Sequence, residues 1–404
     1  MRTRWTGELR ELTRLAVPLA AAHAGVQLMG FVDTAVVGRL GATELGAIGV
    51  ANALFFFLSI FATGVVMGID PLVAQALGAD NRLQARRILW QGIWLACATG
   101  IVVSFPIYFS AAILPLMKMP AAVIEQADSY LRIRAFGLVP LLIFFVLRGY
   151  LQARMMTRAI VFSMVIGNLF NLGADLILVF GGGILPVWAG PLRNLPALGI
   201  EGAAIASVAG GALGAAILGV AVARIRLPLH DRSHRAFVRG VFLQAGRIGL
   251  PVGLHLSAEV AIFALVALLA GMLGEQQLAA HQVTITLAAM TYTVAIGIGT
   301  AGSVRVGRAI GAGDAVGARL GGYVAFAAGT GFMALAALSF VIMPARLASL
   351  VTDLPGVITE AVPLLAVAAL FQISDGIQAV GAGVLRGAGV TTYTFGANLI
   401  GHWL

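Results

Sequence analysis

Between Leu198 and Ala223 the chain reads LGIEGAAIASVAGGALGAAILGVAVA, with Glu201 near its start as the only charge. About 20 mostly apolar residues are what an α-helix needs to cross the hydrocarbon core of a bilayer. The same reading gives ten full segments along the chain and part of an eleventh. They lie at approximately 14–38, 46–69, 88–114, 127–149, 159–181, 198–223, 246–272, 278–303, 320–344, 358–384 and 391–404. Short polar or Gly/Pro-rich joins separate them, such as Gly78–Arg82 and Gly311–Asp314. Composition agrees: of 404 residues, 60% are hydrophobic and 11% charged, against about 25% charged in soluble domains. A water-soluble protein of this size cannot hide so much apolar surface. The sequence therefore predicts an all-α integral membrane protein.

Orientation follows from the basic residues, which concentrate on the cytoplasmic side of membrane proteins. With the N-terminus inside, 20 of the 26 Lys and Arg residues fall in inner segments, six of them between Arg224 and Arg247. Arg39, Lys118, Arg132, Arg134, Arg193 and Arg346 are left outside. This distribution accounts for the net charge of +9 without a nucleic-acid partner. Met1–Leu15 carries four arginines and two glutamates and has no small-residue cleavage site, so the first span reads as retained. Cys97 is the only cysteine, which excludes a disulfide framework or a CxxC metal site.

The chain is also duplicated. A shift of 233 residues places Pro18 on Pro251, Gly38 on Gly271, Gly41 on Gly274 and Gly64 on Gly297. It also places Ala76-Leu77-Gly78-Ala79 on Ala309-Ile310-Gly311-Ala312, and a shift of 238 places Leu147-Arg148-Gly149 on Leu385-Arg386-Gly387. Spans 1 and 7 are an even number apart, so the two copies share one orientation, a parallel repeat about an axis along the membrane normal. The expected architecture is two pseudo-symmetric six-helix lobes: 1–223, a cytoplasmic inter-lobe loop 224–245, and 246–404. The counterpart of about residues 165–223 is not found in the second copy, so the C-terminal lobe reads as incomplete, with 10–11 of an expected 12 spans.

Ionisable groups inside a span cost about 2.5–3.5 kcal/mol each on insertion scales and by default mark an ion or substrate path. Four carboxylates qualify: Asp33, Asp175, Glu259 and Asp375. At 1.5 Å per residue, Asp33 lies about 27 Å above Leu15 and Asp175 about 22 Å above Ile160. Glu259 lies about 16 Å from Ile248, and Asp375 about 21 Å from Ala361 in a helix of opposite direction. Each lobe thus has one pair. Asn168, Asn171 and Asp175 share a helix face by their three and four spacing, as do His255 with Glu259 and Gln372 with Asp375. Asn168, His255, Gln282 and Gln372 are candidates to support the acids. Oxygen-rich clusters suit Na⁺, and desolvated carboxylates suit H⁺. Phe31, Met67, Met290 and Tyr292 are candidate substrate-cavity contacts.

With these features in hand, the sequence resembles the multidrug and toxic compound extrusion (MATE) exporters over essentially its whole length. The resemblance rests on Val32-Asp33-Thr34-Ala35-Val36-Val37-Gly38-Arg39-Leu40-Gly41, on Pro71 with Gln75-Ala76-Leu77-Gly78-Ala79, on Ala279-Ala280-His281-Gln282 and on Leu385-Arg386-Gly387. It implies export of lipophilic cationic drugs or dyes in exchange for Na⁺ or H⁺ by alternating access, in a prokaryotic plasma (inner) membrane. The exporter is expected to act as a monomer, with no cofactor beyond the coupling ion. Asp33, Asn171 and Asp175 match the acidic cluster of the family's DinF-like branch. Glu259 and Asp375 match the cation-site acids of the NorM-like branch, the branch favoured here, and Na⁺ at these two is the only metal ion implied. Competing readings are a lipid-linked oligosaccharide flippase of the same superfamily, a membrane-embedded enzyme and a structural membrane protein. A flippase is expected to line its cavity with arginines. An enzyme needs a catalytic motif such as GxSxG or HExxH, and the sequence has none.

Overall fold

A computed structural model describes residues 2–226 and 235–403, so residues 227–234 of the inter-lobe loop lie outside the described residues. The long helices are α1 (Arg2–Val37), α2 (Ala42–Val66), α4 (Arg82–Phe109), α5 (Ala121–Ala153), α6 (Thr157–Phe180), α7 (Ile200–Ala223), α8 (Arg239–Leu273), α9 (Glu275–Gly311), α10 (Ala315–Ile342) and α12 (Pro355–Gly387). Shorter ones are α3 (Ile69–Gly78), α11 (Pro344–Ala348) and α13 (Thr392–Trp403). Among the described residues ten stretches are long and apolar enough to cross a membrane, and α13 is a shorter helix of 12 residues. Large apolar side chains such as Phe136, Leu268 and Leu370 project outward, 64–82% exposed. Water would penalise these faces and lipid accepts them.

The second span is broken where the sequence alone had it continuous to residue 69. α2 ends at Val66 and α3 begins at Ile69. Pro71 has no N–H to give the carbonyl four residues back and disfavours helix at the residue before it. Val304 occupies the repeat-equivalent position, and α9 runs unbroken for 37 residues.

The repeat is written into the backbone. Gly41 and Gly274 stand at the N-caps of α2 and α9, with the side chains of Glu44 and Gln277 folded against them. At the other end Asn81 N–H donates to the Ala76 carbonyl, and Asp314 N–H to the Ala309 carbonyl, both at 2.9 Å. The left-handed residue each such ending needs is Asp80 (φ 53°) in one copy and Gly313 (φ 72°) in the other.

Two compact units emerge. One comprises Gly25–Ile69 and Arg82–Gly253. In it α5 packs against α2, α4 and α7, and α6 packs against α7. A Cβ at Gly64 would overlap the backbone of Val252 and Gly253, so α2 and the start of α8 meet backbone to backbone. Arg86 of α4 donates to the Val222 carbonyl at 2.9 Å, closing the end of α7. Gln91 fastens the chain after the inter-lobe loop, donating to the Ala236 carbonyl at 2.7 Å and accepting from Val238 N–H at 2.9 Å.

The other unit comprises residues up to Ala24, Asp70–Asn81 and the chain from Leu254 onward. Here α12 packs against α9 and α10. Gly383 and Gly387 of α12 face the backbone of Gly299 and Ser303 on α9 with no room for a Cβ. Gly297 meets Ala20, which repeats the contact of Gly64 with Gly253 at the same offset of 233. Glu8 holds Arg305 through two bonds of 2.7 and 2.5 Å.

Candidate functional site

Each unit holds one acidic cluster, and neither requires a residue from the other unit. In the first, Asp33 comes from the C-terminal end of α1, Asn171 and Asp175 from one face of α6, and Ser207 from α7. All four are buried, Asn171 and Asp175 completely. Ser207 Oγ donates to Asp33 Oδ2, and Gly210, one turn on, lets α7 approach Asn171 closely. The Asp33 and Asp175 carboxyls are close enough to act on each other electrostatically. Both Asp175 oxygens, Asp33 Oδ1 and both amide atoms of Asn171 are buried without a hydrogen-bond partner. Buried polar atoms are nearly always paired, which marks this cluster as a candidate site. Two carboxylates in contact repel, and any positive charge set between them relieves the repulsion.

Four neighbours were not read from the sequence as part of this site: Ser207, Tyr130, Asn52 and Arg134. Tyr130 is fully buried and donates to Asn52 Oδ1 at 2.9 Å. Arg134, one turn further along α5, lies over the Phe55 ring at 4.2 Å and the Tyr130 ring at 5.8 Å, close enough to act on Asp175 electrostatically. By charge counting Arg134 belonged to an outer segment. It in fact lies about 20 Å along α5 from Ala121. It already stood inside the expected span 127–149, so the rule applied to the carboxylates would have found it. Arg134 is half-buried, and Arg148 and Arg386 are buried. Charges within the spans therefore include arginines beside the four acids. Burial of an arginine depends on which helix faces cover it, which composition does not reveal. Asn168 turns away from the acids and ties α6 to α1, donating to the Gly25 carbonyl at 3.1 Å. Outside the cluster a pocket of about 600 Å³ is lined in part by Glu44, Glu125 and Glu201.

In the second unit, His255 and Glu259 stand one turn apart on α8, His255 Nε2 being 3.6 Å from Glu259 Oε2. Tyr292 of α9 donates to Glu259 Oε1 at 2.6 Å. Asp375 of α12 is half-buried and close enough to Glu259 to repel it. Tyr292 thus belongs with the acids. Gln372, three residues before Asp375, donates instead to Thr291 Oγ1 at 2.8 Å. Gln282 is exposed on α9, Phe31 and Met290 are largely exposed, and Met67 is half-buried just after α2. No group of three or more His, Cys, Asp or Glu suited to a metal ion occurs among the described residues.

A doubled all-α bundle with ten apolar spans among the described residues and acids set within them has the form of an integral membrane transporter. The MatE family matches the chain twice, over residues 18–177 and 251–404, starting at the offset of 233 read from the repeat. "Probable multidrug resistance protein NorM" of Rhizobium meliloti (strain 1021) is 32% identical over 99% of this chain and 85% of its own length. "Multidrug resistance protein MdtK" of Edwardsiella ictaluri (strain 93-146) is 30% identical over 98% and 86%. The solved Vibrio cholerae MATE transporter VcmN in the bent form shares the fold at a TM-score of 0.87, with 19% identity over 99% of this chain and 87% of that one. The chain belongs to the MatE family of membrane transporters.

Proposed function

We propose that the chain is a secondary active multidrug exporter that releases lipophilic organic cations in exchange for Na⁺ or H⁺. The observation that carries this reading is the buried Asp33–Asp175 pair with Asn171, in which Asp33 Oδ1 and both Asp175 oxygens have no hydrogen-bond donor. A second acid pair, Glu259 with Asp375, supports it in the other unit. The same carboxylates serve drug and coupling ion in turn, because each is a positive charge that relieves the same repulsion. Relatives named for multidrug resistance favour drugs and dyes as substrates. The parallel repeat favours alternating access between halves 1–223 and 246–404, joined by the loop 224–245. The basic bias favours an N-terminus in the cytoplasm of a prokaryotic cell, with the protein in the inner membrane.

Efflux of a fluorescent lipophilic cation from cells expressing the chain, under imposed Na⁺ and then H⁺ gradients, tests the reading. Gradient-driven efflux should fall at least about tenfold in Asp33→Asn and in Glu259→Gln/Asp375→Asn, at equal amounts of protein in the membrane. Efflux that is indifferent to all of these amides would overturn the proposal.

A further inference from the structure

Arg86, Arg154 and Arg235 come from α4, the C-cap of α5 and the chain after the inter-lobe loop, all within one unit. Arg86 is buried, and its Nη2 donates to the Val222 and Ile225 carbonyls at 2.9 and 3.4 Å, where α7 ends. Its guanidinium lies 5.5 Å from the centre of the Tyr150 ring, and that of Arg154 lies 6.0 Å from the same ring. One turn along α4 from Arg86, the Arg235 guanidinium lies over Trp90 at 5.1 Å. The Arg235 carbonyl accepts from Trp94 Nε1 at 3.5 Å. Arg154 and Arg235 are both close enough to Arg86 to act on it electrostatically. The Tyr150 hydroxyl and Arg154 Nη1 are buried without an acceptor.

Like charges gathered in this way repel unless something answers them. The C-terminus of α7 supplies at most about half a negative charge. None of the three guanidinium groups has an acidic partner among the described residues. This end of the unit is made of residues 55–69, 82–99, 141–165, 215–226 and 235–253, which hold eleven arginines and no Asp or Glu. The missing counter-charge has a source in the bilayer. The cluster lies where α4 starts and α5 and α7 end. Half-buried Trp90 and exposed Trp94 stand beside it, and tryptophans mark the level of the lipid headgroups. Arg235 is exposed and Arg154 half-buried, so both are open to that level.

We propose that Arg86, Arg154 and Arg235 form a binding site for the headgroup of an anionic phospholipid. Arg154 and Arg235 take the phosphate, because a planar guanidinium matches its oxygens. Arg86, with Nη2 committed to α7, adds charge from behind and shares the Tyr150 ring that holds Arg154 in place. A zwitterionic headgroup brings a cation of its own, for which this acid-free end of the unit has no partner.

The test uses the full chain in phosphatidylcholine vesicles with a trace of spin-labelled phosphatidylglycerol or, in parallel, spin-labelled phosphatidylcholine. The readout is the ratio of the two association constants. The wild type should prefer phosphatidylglycerol by about tenfold. Arg154→Gln/Arg235→Gln should bring the ratio to within about twofold of unity, and Arg154→Lys/Arg235→Lys should keep most of the preference. Arg158→Gln/Arg247→Gln removes two charges from the same end outside the cluster and should leave the ratio within about twofold of wild type. No preference in the wild type, an unchanged ratio in Arg154→Gln/Arg235→Gln, or an equal fall in Arg158→Gln/Arg247→Gln overturns the proposal. Should the cluster variant not fold, Arg235→Gln alone should lose about threefold or more, and an unchanged ratio there overturns it instead. Added inorganic phosphate that displaces the labelled lipid, where sodium chloride of equal ionic strength does not, would assign the site to a soluble anion and overturn the lipid assignment.

Discussion

Tyr292 gives Glu259 its 2.6 Å bond, and a hydroxyl donated to a carboxylate is worth about 1.5–3 kcal/mol. That bond favours the empty, charged carboxylate over one that has taken up a cation. Tyr292→Phe should therefore tighten apparent coupling-ion affinity about tenfold, read as the ion concentration giving half-maximal efflux. An unchanged value would mean that Glu259 is not an ion-binding acid. Glu259 and Asp375 were legible because a carboxylate in an apolar run is conspicuous at any position. Tyr292 was visible only as an aromatic residue in a span, and nothing in the sequence says that its hydroxyl meets a group 33 residues away. Ser207 is the same case, since its partner Asp33 is 174 residues distant.

At the scale of elements, glycines decide how closely helices meet. A Cβ at Gly297 would stand 2.7–2.9 Å from atoms of Ala20, whereas one at Gly49 has nothing within 4 Å. Gly297→Ala should cost about 1–3 kcal/mol through overpacking. Gly49→Ala, in the same repeat family of helices, should be neutral or stabilise by about 0.5–1 kcal/mol through helix propensity. Thermal unfolding in detergent measures both, and equal Tm shifts would refute the assigned close contact. The spans themselves were readable because hydropathy is local, and their ends because caps and Gly-Asp turns are local. The break between α2 and α3 was signalled by Pro71, but a continuous apolar run to Ile69 masked it. Gly383/Gly387 and Gly210/Gly214 are small residues four apart, a spacing that favours close helix packing without naming a partner; packing assigns α9 to the first pair and Asn171 and Phe144 to the second.

For the whole molecule, the charge bias makes a directional prediction. In a Cys97→Ala background, Lys118→Cys should react with a membrane-impermeant thiol reagent in intact cells, and Arg154→Cys only after permeabilisation. The reverse pattern would overturn the N-in orientation. The sequence by itself determined the all-α membrane class, the run of the long spans, the repeat at an offset of 233 and the four acids within the helices. Each of these follows from residue type and spacing along the chain, because lipid forces backbone groups to pair within the helix and penalises charge wherever it falls. Only the tertiary structure decided that Asp33 faces Asp175 and is held by Ser207. It also decided that Tyr292 belongs to Glu259, that Gln372 turns to Thr291, and that Arg134 sits on two rings beside the acids. Those pairings depend on how helices rotate and cross, which is fixed by contacts between residues far apart in the chain.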